Sequence, residues 1–148
     1  MKTISSNCRT VLLALLMPII SFSQKKWDNQ IAIGHTNLGE VVQAMTSLGY
    51  TIKKYDSANE YLSTDIKLVG GHPLALRLKV YQKEDSIYLS GDYQELVVSF
   101  HFIPVSEQQK RFYPICYFRS KLNNSKVCWD EMMKIATKLG NVFSFAKV

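Results

Sequence analysis

The segment Leu74–Gly91, LALRLKVYQKEDSIYLSG, predicts the fold class. Apolar and polar residues alternate over Leu74–Gln82, as in a strand that buries one face. Glu84 and Asp85 then turn the chain into a second alternating strand, from Ile87 to about Gly91. The segment therefore predicts an antiparallel hairpin with an apolar side and a polar side.

Further short runs with strand character lie on both sides of this hairpin. Two precede it and two follow it: Tyr50–Tyr55, Tyr61–Val69, Leu96–Ile103 and Asn141–Val148. The run Leu96–Ile103 is apolar at nearly every position, which predicts a central strand or one covered on both faces. Residues 25–34 show no clear pattern and are interpreted as a lead-in without an element.

Two amphipathic helices complete the pattern. The first is predicted over Leu38–Leu48, with Asn37 as its N-cap, Glu40 as the capping partner and Gly49 as its stop. The second is capped by Asn124 or Ser125, is closed by Gly140 and carries one apolar stripe, made of Trp129, Met132, Met133, Ala136 and Leu139. The order helix, five strands, helix, strand predicts an α+β fold: a two-layer sandwich with a mostly antiparallel sheet of about six strands.

The N-terminus has the pattern of a cleavable secretory signal. Lys2 and Arg9 precede an apolar run of about ten residues, which is too short to span a bilayer. Ser21 and Ser23 are small residues placed for cleavage before Gln24. We therefore expect residues 1–23 to be a signal peptide and residues 24–148 to form one domain, periplasmic or extracellular, with no transmembrane span after processing. An uncleaved N-terminal anchor is the alternative.

The formal net charge of +6 favours acidic partners. An envelope protein, a polysaccharide or an anionic lipid fits this balance. Nucleic acid is not expected, because no run rich in lysine and arginine occurs and export separates the protein from it.

Two cysteines remain after removal of the signal, which contains Cys8. Cys116 and Cys128 form an even pair, and an oxidising compartment favours a disulfide between them. Two unpaired buried thiols are the alternative. A bond here would stiffen the loop that the two cysteines enclose.

Motifs for metal, cofactor or catalytic chemistry are missing from the sequence. His35, His72 and His101 do not have the short spacing of zinc ligands, so no metal and no cofactor are expected. No Gly-x-Ser-x-Gly element occurs. A Cys128 nucleophile with His101 as base, or a carboxylate pair drawn from Asp85, Asp92 and Glu95, keeps a small hydrolase as an alternative.

The polar side of the hairpin is the first candidate binding surface. It is predicted to present basic and aromatic side chains together: Arg77, Lys79, Tyr81 and Tyr88, extended by Tyr93 and His101. Tyrosine and arginine are enriched where proteins bind partners. We expect Arg77, Lys79, Tyr81 and Tyr88 to be exposed together with no acids between them. An ordinary solvated sheet face is the alternative.

The connection from Pro104 to Asn124 is the second candidate surface. It is long for a compact domain and rich in aromatics, namely Phe112, Tyr113, Tyr117 and Phe118. A short strand is expected within it, around Pro114–Arg119. These two surfaces predict an exported, non-catalytic binding or accessory domain of the cell envelope or extracellular space. The alternatives are a disulfide-stiffened inhibitor or protein-interaction module, and the small hydrolase.

Overall fold

The computed structural model of the protein describes residues 24–96, 111–140 and 143–148. The predicted signal peptide lies outside these residues. So do His101 and, apart from Leu96, the predicted strand Leu96–Ile103.

The described residues form one sheet and two helices. In chain order the elements are β1 (Gln30–Gly34), α1 (Leu38–Ser47), β2 (Ile52–Asp56), β3 (Tyr61–Thr64), β4 (Lys67–Leu68), β5 (Leu74–Lys83), β6 (Ser86–Glu95), β7 (Tyr113–Pro114), α2 (Asn124–Leu139) and β8 (Phe143–Ala146). The sheet is antiparallel and has the order β2-β3-β5-β6-β1-β8, with β4 pairing to β5 and β7 pairing to β6. The α+β sandwich predicted from the sequence is confirmed.

The predicted hairpin is the longest pairing of the sheet. Strands β5 and β6 stay in register from the pair Leu74–Glu95 to the pair Lys83–Ser86. The turn places Glu84 at a φ of 56°. Strand β6 continues to Glu95, beyond the predicted end at Gly91, because β7 and β5 supply pairing partners on both sides of Asp92 and Tyr93.

The lead-in interpretation of residues 25–34 is wrong. Residues 30–34 form β1, an interior strand that pairs with β6 on one side and β8 on the other. Ile31 and Ile33 are fully buried. Two apolar positions in five residues give too little alternation to predict a strand. This segment is recognisable as a strand only from its pairing with β6 and β8.

The predicted strand Tyr61–Val69 is broken in two. Leu62 and Thr64 are buried, but Ile66 and Leu68, which continue the same alternation, are exposed. The backbone N–H of Asp65 donates to the Thr51 carbonyl at 2.9 Å, and the chain then shifts its pairing to the far end of β5.

Both helices form where the sequence predicts them. Asn37 accepts from the Glu40 backbone N–H, and the Glu40 carboxylate in turn accepts from the Asn37 backbone N–H, which is the predicted capping box. The N-cap of helix α2 is Asn123, one residue before the first of the two predicted caps. Gly140 ends the helix at a φ of 69°.

One apolar core joins the helices to one face of the sheet. This inner face contributes Ile31, Ile33, Leu62, Leu76, Leu78, Val80, Ile87 and Leu89, and the helices contribute Val41, Met45, Trp129, Met132 and Ile135. Side chains on the opposite face, called the outer face below, alternate with these along β1, β3, β5 and β6. Among the described residues no helix covers the outer face.

Candidate functional site

A row of three tyrosines crosses the outer face. Tyr61, Tyr81 and Tyr88 lie opposite one another on the adjacent strands β3, β5 and β6. The rings of Tyr61 and Tyr81 have centroids 4.8 Å apart, tilted by 47°. Tyr81 is 47% exposed, and the other two are half-buried. This tyrosine row brings together two residues that the sequence predicted and one, Tyr61, that it did not single out.

The neighbouring row on the same face is polar and small. Lys79 lies between Ser63 of β3 and Ser90 of β6 in the register. Beyond the tyrosine row, Ala32 of β1 follows Tyr88. The tyrosine rings are therefore bordered by hydroxyls, an ammonium group and a low methyl side chain rather than by further bulky residues.

The expectation of a face without acids is wrong. Asp92 of β6 lies opposite Arg77, and its Oδ2 is 3.3 Å from Arg77 Nε and 2.9 Å from Lys79 Nζ. Lys54 Nζ is 3.5 Å from Asp56 Oδ2 on the same side of the sheet. The basic groups of the outer face are thus partly neutralised.

Tyr93 does not belong to this face. Its register partner is Leu76, and residues directly opposite each other in an antiparallel pair share a face. Tyr93 therefore points to the inner face, where it packs against the core. The sequence grouped Tyr93 with Tyr88, but residues five positions apart on a strand point to opposite faces.

The four aromatics of the loop separate into different places. The Phe112 ring covers the Arg77 guanidinium, with 4.1 Å from the ring centroid to Cζ, so it belongs to the outer face. Tyr113 pairs with Tyr93, with ring centroids 5.9 Å apart. Tyr117 packs beside Trp129 of α2. The short strand expected near Pro114–Arg119 is β7, which begins one residue earlier and covers only two residues.

Phe118 lies at the end of the sheet where β1 begins. Its ring meets that of Trp27 edge-on at 4.7 Å between centroids. Trp27 is 48% exposed, and no sequence pattern had marked it. The four aromatics of the predicted loop surface therefore make four separate contacts rather than one patch.

The cysteines are not bonded, which corrects the predicted disulfide. Cys116 and Cys128 are both buried free thiols. The Ser125 hydroxyl holds the Cys116 backbone, since it donates to the carbonyl at 2.8 Å and accepts from the N–H at 2.6 Å. Cys116 Sγ lies 3.8 Å from the Pro114 carbonyl oxygen, while Cys128 lies on the buried side of α2. The even number of cysteines had predicted a bond that the packing does not make.

Burial makes both thiols poor nucleophiles. It raises the pKa of Cys116, an effect that Lys147 partly offsets. Burial and the nearby Glu131 carboxylate raise the pKa of Cys128 to about 12. Because the thiolate is the reactive form, the position of Cys128 near the start of α2 does not activate it.

The acids of the hydrolase alternative are not brought together. Asp85 lies in the β5–β6 turn, 2.6 Å from His35 Nδ1. Asp92 lies on the outer face, whereas Glu95 pairs with Leu74 and accepts from Asn124 Nδ2 at 2.7 Å. The structure gives each carboxylate a local partner in a different region.

In residues 24–96, 111–140 and 143–148, no helix is long and apolar enough to cross a membrane. Within the same ranges, no three histidine, cysteine or acidic side chains are grouped so that they could hold a metal ion. No protein-family model matches the chain, and a search of curated proteins finds none with significant similarity.

Proposed function

We propose that the protein is an exported, non-catalytic binding domain of the cell envelope or extracellular space, and that its outer face binds a polysaccharide. The observation that carries the proposal is the tyrosine row, in register across three adjacent strands on a face that neither described helix covers. A row perpendicular to the strands is suited to an extended ligand that crosses them.

The chemistry of the outer face favours sugar over the other acidic partners. A tyrosine ring offers an apolar face and a polar tip, and sugar rings likewise combine C–H faces with hydroxyls. Ser63 and Ser90 add hydroxyls beside the row. The Asp92 carboxylate with Arg77 and Lys79 supplies acceptors and donors with little net charge. An anionic lipid surface would favour cations that lack such an acidic partner.

The test compares the binding of the parent protein and of tyrosine-row variants to polysaccharide. Purified protein is incubated with insoluble envelope polysaccharides, peptidoglycan included, and the dissociation constant is measured from the unbound fraction. Tyr81→Ala combined with Tyr88→Ala should weaken binding by about 2 kcal/mol or more, roughly thirtyfold, as the loss of a central aromatic contact does. Stability should fall by only about 1 kcal/mol, because cross-strand aromatic pairs contribute little more.

Tyr55→Ala is the matched control. Tyr55 is exposed on β2, but its register partner is the buried Leu62, so it lies off the outer face. Its replacement should leave binding unchanged. Equal loss in the control, or binding that survives in the double variant, would overturn the proposal. Retention that is lost in Lys79→Gln or in high salt, but not in the tyrosine variants, would identify an anionic ligand. Binding to a protein and to no polysaccharide would identify a protein partner.

Export is tested separately by sequencing the N-terminus. Protein recovered outside the cytoplasm of a bacterial host should begin at Gln24 or within a residue or two of it. Exported protein that retains Met1 would refute cleavage without bearing on the tyrosine row.

A further inference from the structure

A second surface lies at the end of the sheet where β1 begins. It combines the segment Gln24–Trp27 with the segment Phe118–Leu122, which leads into α2. An open depression separates Gln24, Lys25 and Lys26 from Phe118, Arg119 and Ser120. Beside it, the Trp27 ring packs edge-on against Phe118. We call the two segments together the end patch.

Main-chain hydrogen bonds build the end patch. The Trp27 N–H donates to the Tyr117 carbonyl at 3.2 Å, and the Tyr117 N–H donates to the Asp28 carbonyl at 2.7 Å. The Lys25 N–H donates to Asp28 Oδ2 at 2.6 Å. The two segments are thus fixed to each other before either meets a partner.

The end patch has four cations and no acid. Lys25, Lys26, Arg119 and Lys121 are all exposed, and none of them makes an ion pair with a described residue. The nearest acid in the sequence, Asp28, is 5% exposed, and its carboxylate accepts a hydrogen bond from the Lys25 backbone N–H. This differs from the outer face, where Asp92 holds both Arg77 and Lys79.

Large apolar groups are exposed among these cations. Trp27 is 48% exposed, with Lys26 Nζ 5.3 Å from its ring centroid. Leu122 is 95% exposed at the centre of a turn closed by the Asn123 N–H and the Ser120 carbonyl. Indole rings favour the bilayer interface, and lysine and arginine are attracted to anionic headgroups above it. A soluble polyanion would engage the cations but leave Leu122 in water.

We propose that the end patch docks onto an anionic membrane surface, with Trp27 and Leu122 entering the interface and Lys25, Lys26, Arg119 and Lys121 contacting the headgroups. This proposal is independent of polysaccharide binding by the outer face, which lies across different residues. It makes the protein a peripheral membrane binder rather than a spanning one.

The test uses the exported protein and vesicles. Co-sedimentation is measured with vesicles of phosphatidylglycerol and phosphatidylcholine, and with vesicles of phosphatidylcholine alone. The protein should bind the anionic vesicles, bind phosphatidylcholine much less, and be released by salt because exposed charges are screened. The chain has two tryptophans, and Trp129 is fully buried, so a blue shift of the emission on binding reports Trp27.

Variants assign the binding to the end patch. Lys25→Gln with Lys26→Gln should weaken binding to anionic vesicles by about thirtyfold, from the contribution of each lysine near a charged surface. Leu122→Ser should weaken it by several-fold and cannot disturb the core, since this side chain is almost entirely in solvent. Lys53→Gln with Lys83→Gln is the matched control, because it removes the same charge from two exposed positions outside the end patch. Lys53 lies on the edge strand β2, and Lys83 lies at the turn between β5 and β6.

Several results would overturn the proposal. One is a parent protein that does not sediment with anionic vesicles. Another is equal loss in the two double-lysine variants, which would make binding a matter of net charge. Unchanged binding by Leu122→Ser and Trp27→Ala, together with full release by soluble glycerol phosphate, would reduce the end patch to an anion site.

Discussion

Leu78 and Lys79 are neighbours in β5, yet they belong to surfaces with opposite roles. Leu78 is fully buried under the helices, while Lys79 lies half-exposed beside Asp92 on the outer face. The inner face is held by close packing, so its side chains determine stability. The outer face has no helix above it among the described residues, so its side chains can change with little effect on folding. Recognition is expected on the second kind of surface.

The end patch extends this contrast to charge. On the outer face the acid Asp92 accompanies two cations, whereas the end patch places four cations beside exposed Trp27 and Leu122. Neutralised polar groups with aromatic rings suit a sugar, and unneutralised cations with apolar groups suit an anionic interface. The two surfaces are expected to respond to salt in different ways.

Replacing Trp129 with alanine should give the largest effect. Trp129 is 0% exposed and contacts Tyr117 and Phe145, with ring centroids 5.9 Å away in each case. Its loss leaves a large cavity, so the free energy of unfolding should fall by about 3–5 kcal/mol in urea denaturation. Trp129→Phe should cost less, because it also removes an indole N–H that has no partner among the described residues.

The outer-face aromatic Tyr81 provides the control for Trp129. Tyr81→Ala should cost less than about 1 kcal/mol, since it loses one cross-strand ring contact. Equal losses at Trp129 and Tyr81 would mean that the outer face is a second core layer and is not open to a ligand.

Gly91→Ala should give the next largest effect. A Cβ at Gly91 would lie 2.7 Å from Leu78 Cδ2, 2.8 Å from the Arg77 carbonyl oxygen and 2.9 Å from Ile115 Cδ1. Because one of these atoms belongs to the backbone, the strands must shift, and the free energy of unfolding should fall by about 1–3 kcal/mol. Gly70→Ala is the control, since nothing lies within 4 Å of its added carbon, and it should stay within about 0.5 kcal/mol. A tolerated Gly91→Ala would contradict the close approach of β5 and β6.

Alkaline pH should destabilise the protein through titratable groups buried in the core. Burial holds the pKa of Cys128 at about 12, whereas an unfolded thiol titrates near about 8.5. Between these values the folded state binds the proton that the unfolded state has lost, so stability is full below about pH 8.5 and falls as pH rises. Each such group contributes up to about 1.4 kcal/mol per pH unit. Burial, and after it the Glu131 carboxylate, raises the pKa of Tyr50 as well, which adds to the loss at higher pH.

Denaturation in urea at a series of pH values measures this slope. Cys128→Ala removes one of the titrating groups, so stability between about pH 8.5 and 10 should fall less steeply than in the parent. The same slope in both proteins would show that Cys128 does not couple folding to pH. Thiol alkylation in denaturant without reductant provides the companion measurement, with both Cys116 and Cys128 labelled.

Local sequence patterns predicted the helices and the hairpin because those elements carry their own signals. Asn37, Glu40 and Gly49 mark the ends of α1 by hydrogen bonds made within a few residues. The hairpin is long enough for alternation to be unmistakable. Strand β1 is too short for that, and it is recognisable only through its partners β6 and β8.

The candidate surfaces were less predictable because they combine distant segments. The sequence singled out Tyr81 and Tyr88, but register added Tyr61 and moved Tyr93 to the inner face. The end patch joins residues about ninety positions apart through the Trp27 and Tyr117 backbones. No local sequence pattern predicts that Trp27 is exposed or that its ring contacts Phe118.

The sequence by itself determined the secondary structure of most of the described residues and the alternation that separates an apolar from a polar sheet face. These properties follow from capping, turn formation and side-chain periodicity, which act over a few residues. Only the tertiary structure decided which polar residues lie together, that Asp92 accompanies Arg77 and Lys79, and that Cys116 and Cys128 remain separate thiols. Strand register and the packing of α2 set those relations, and both depend on contacts between segments far apart in the chain.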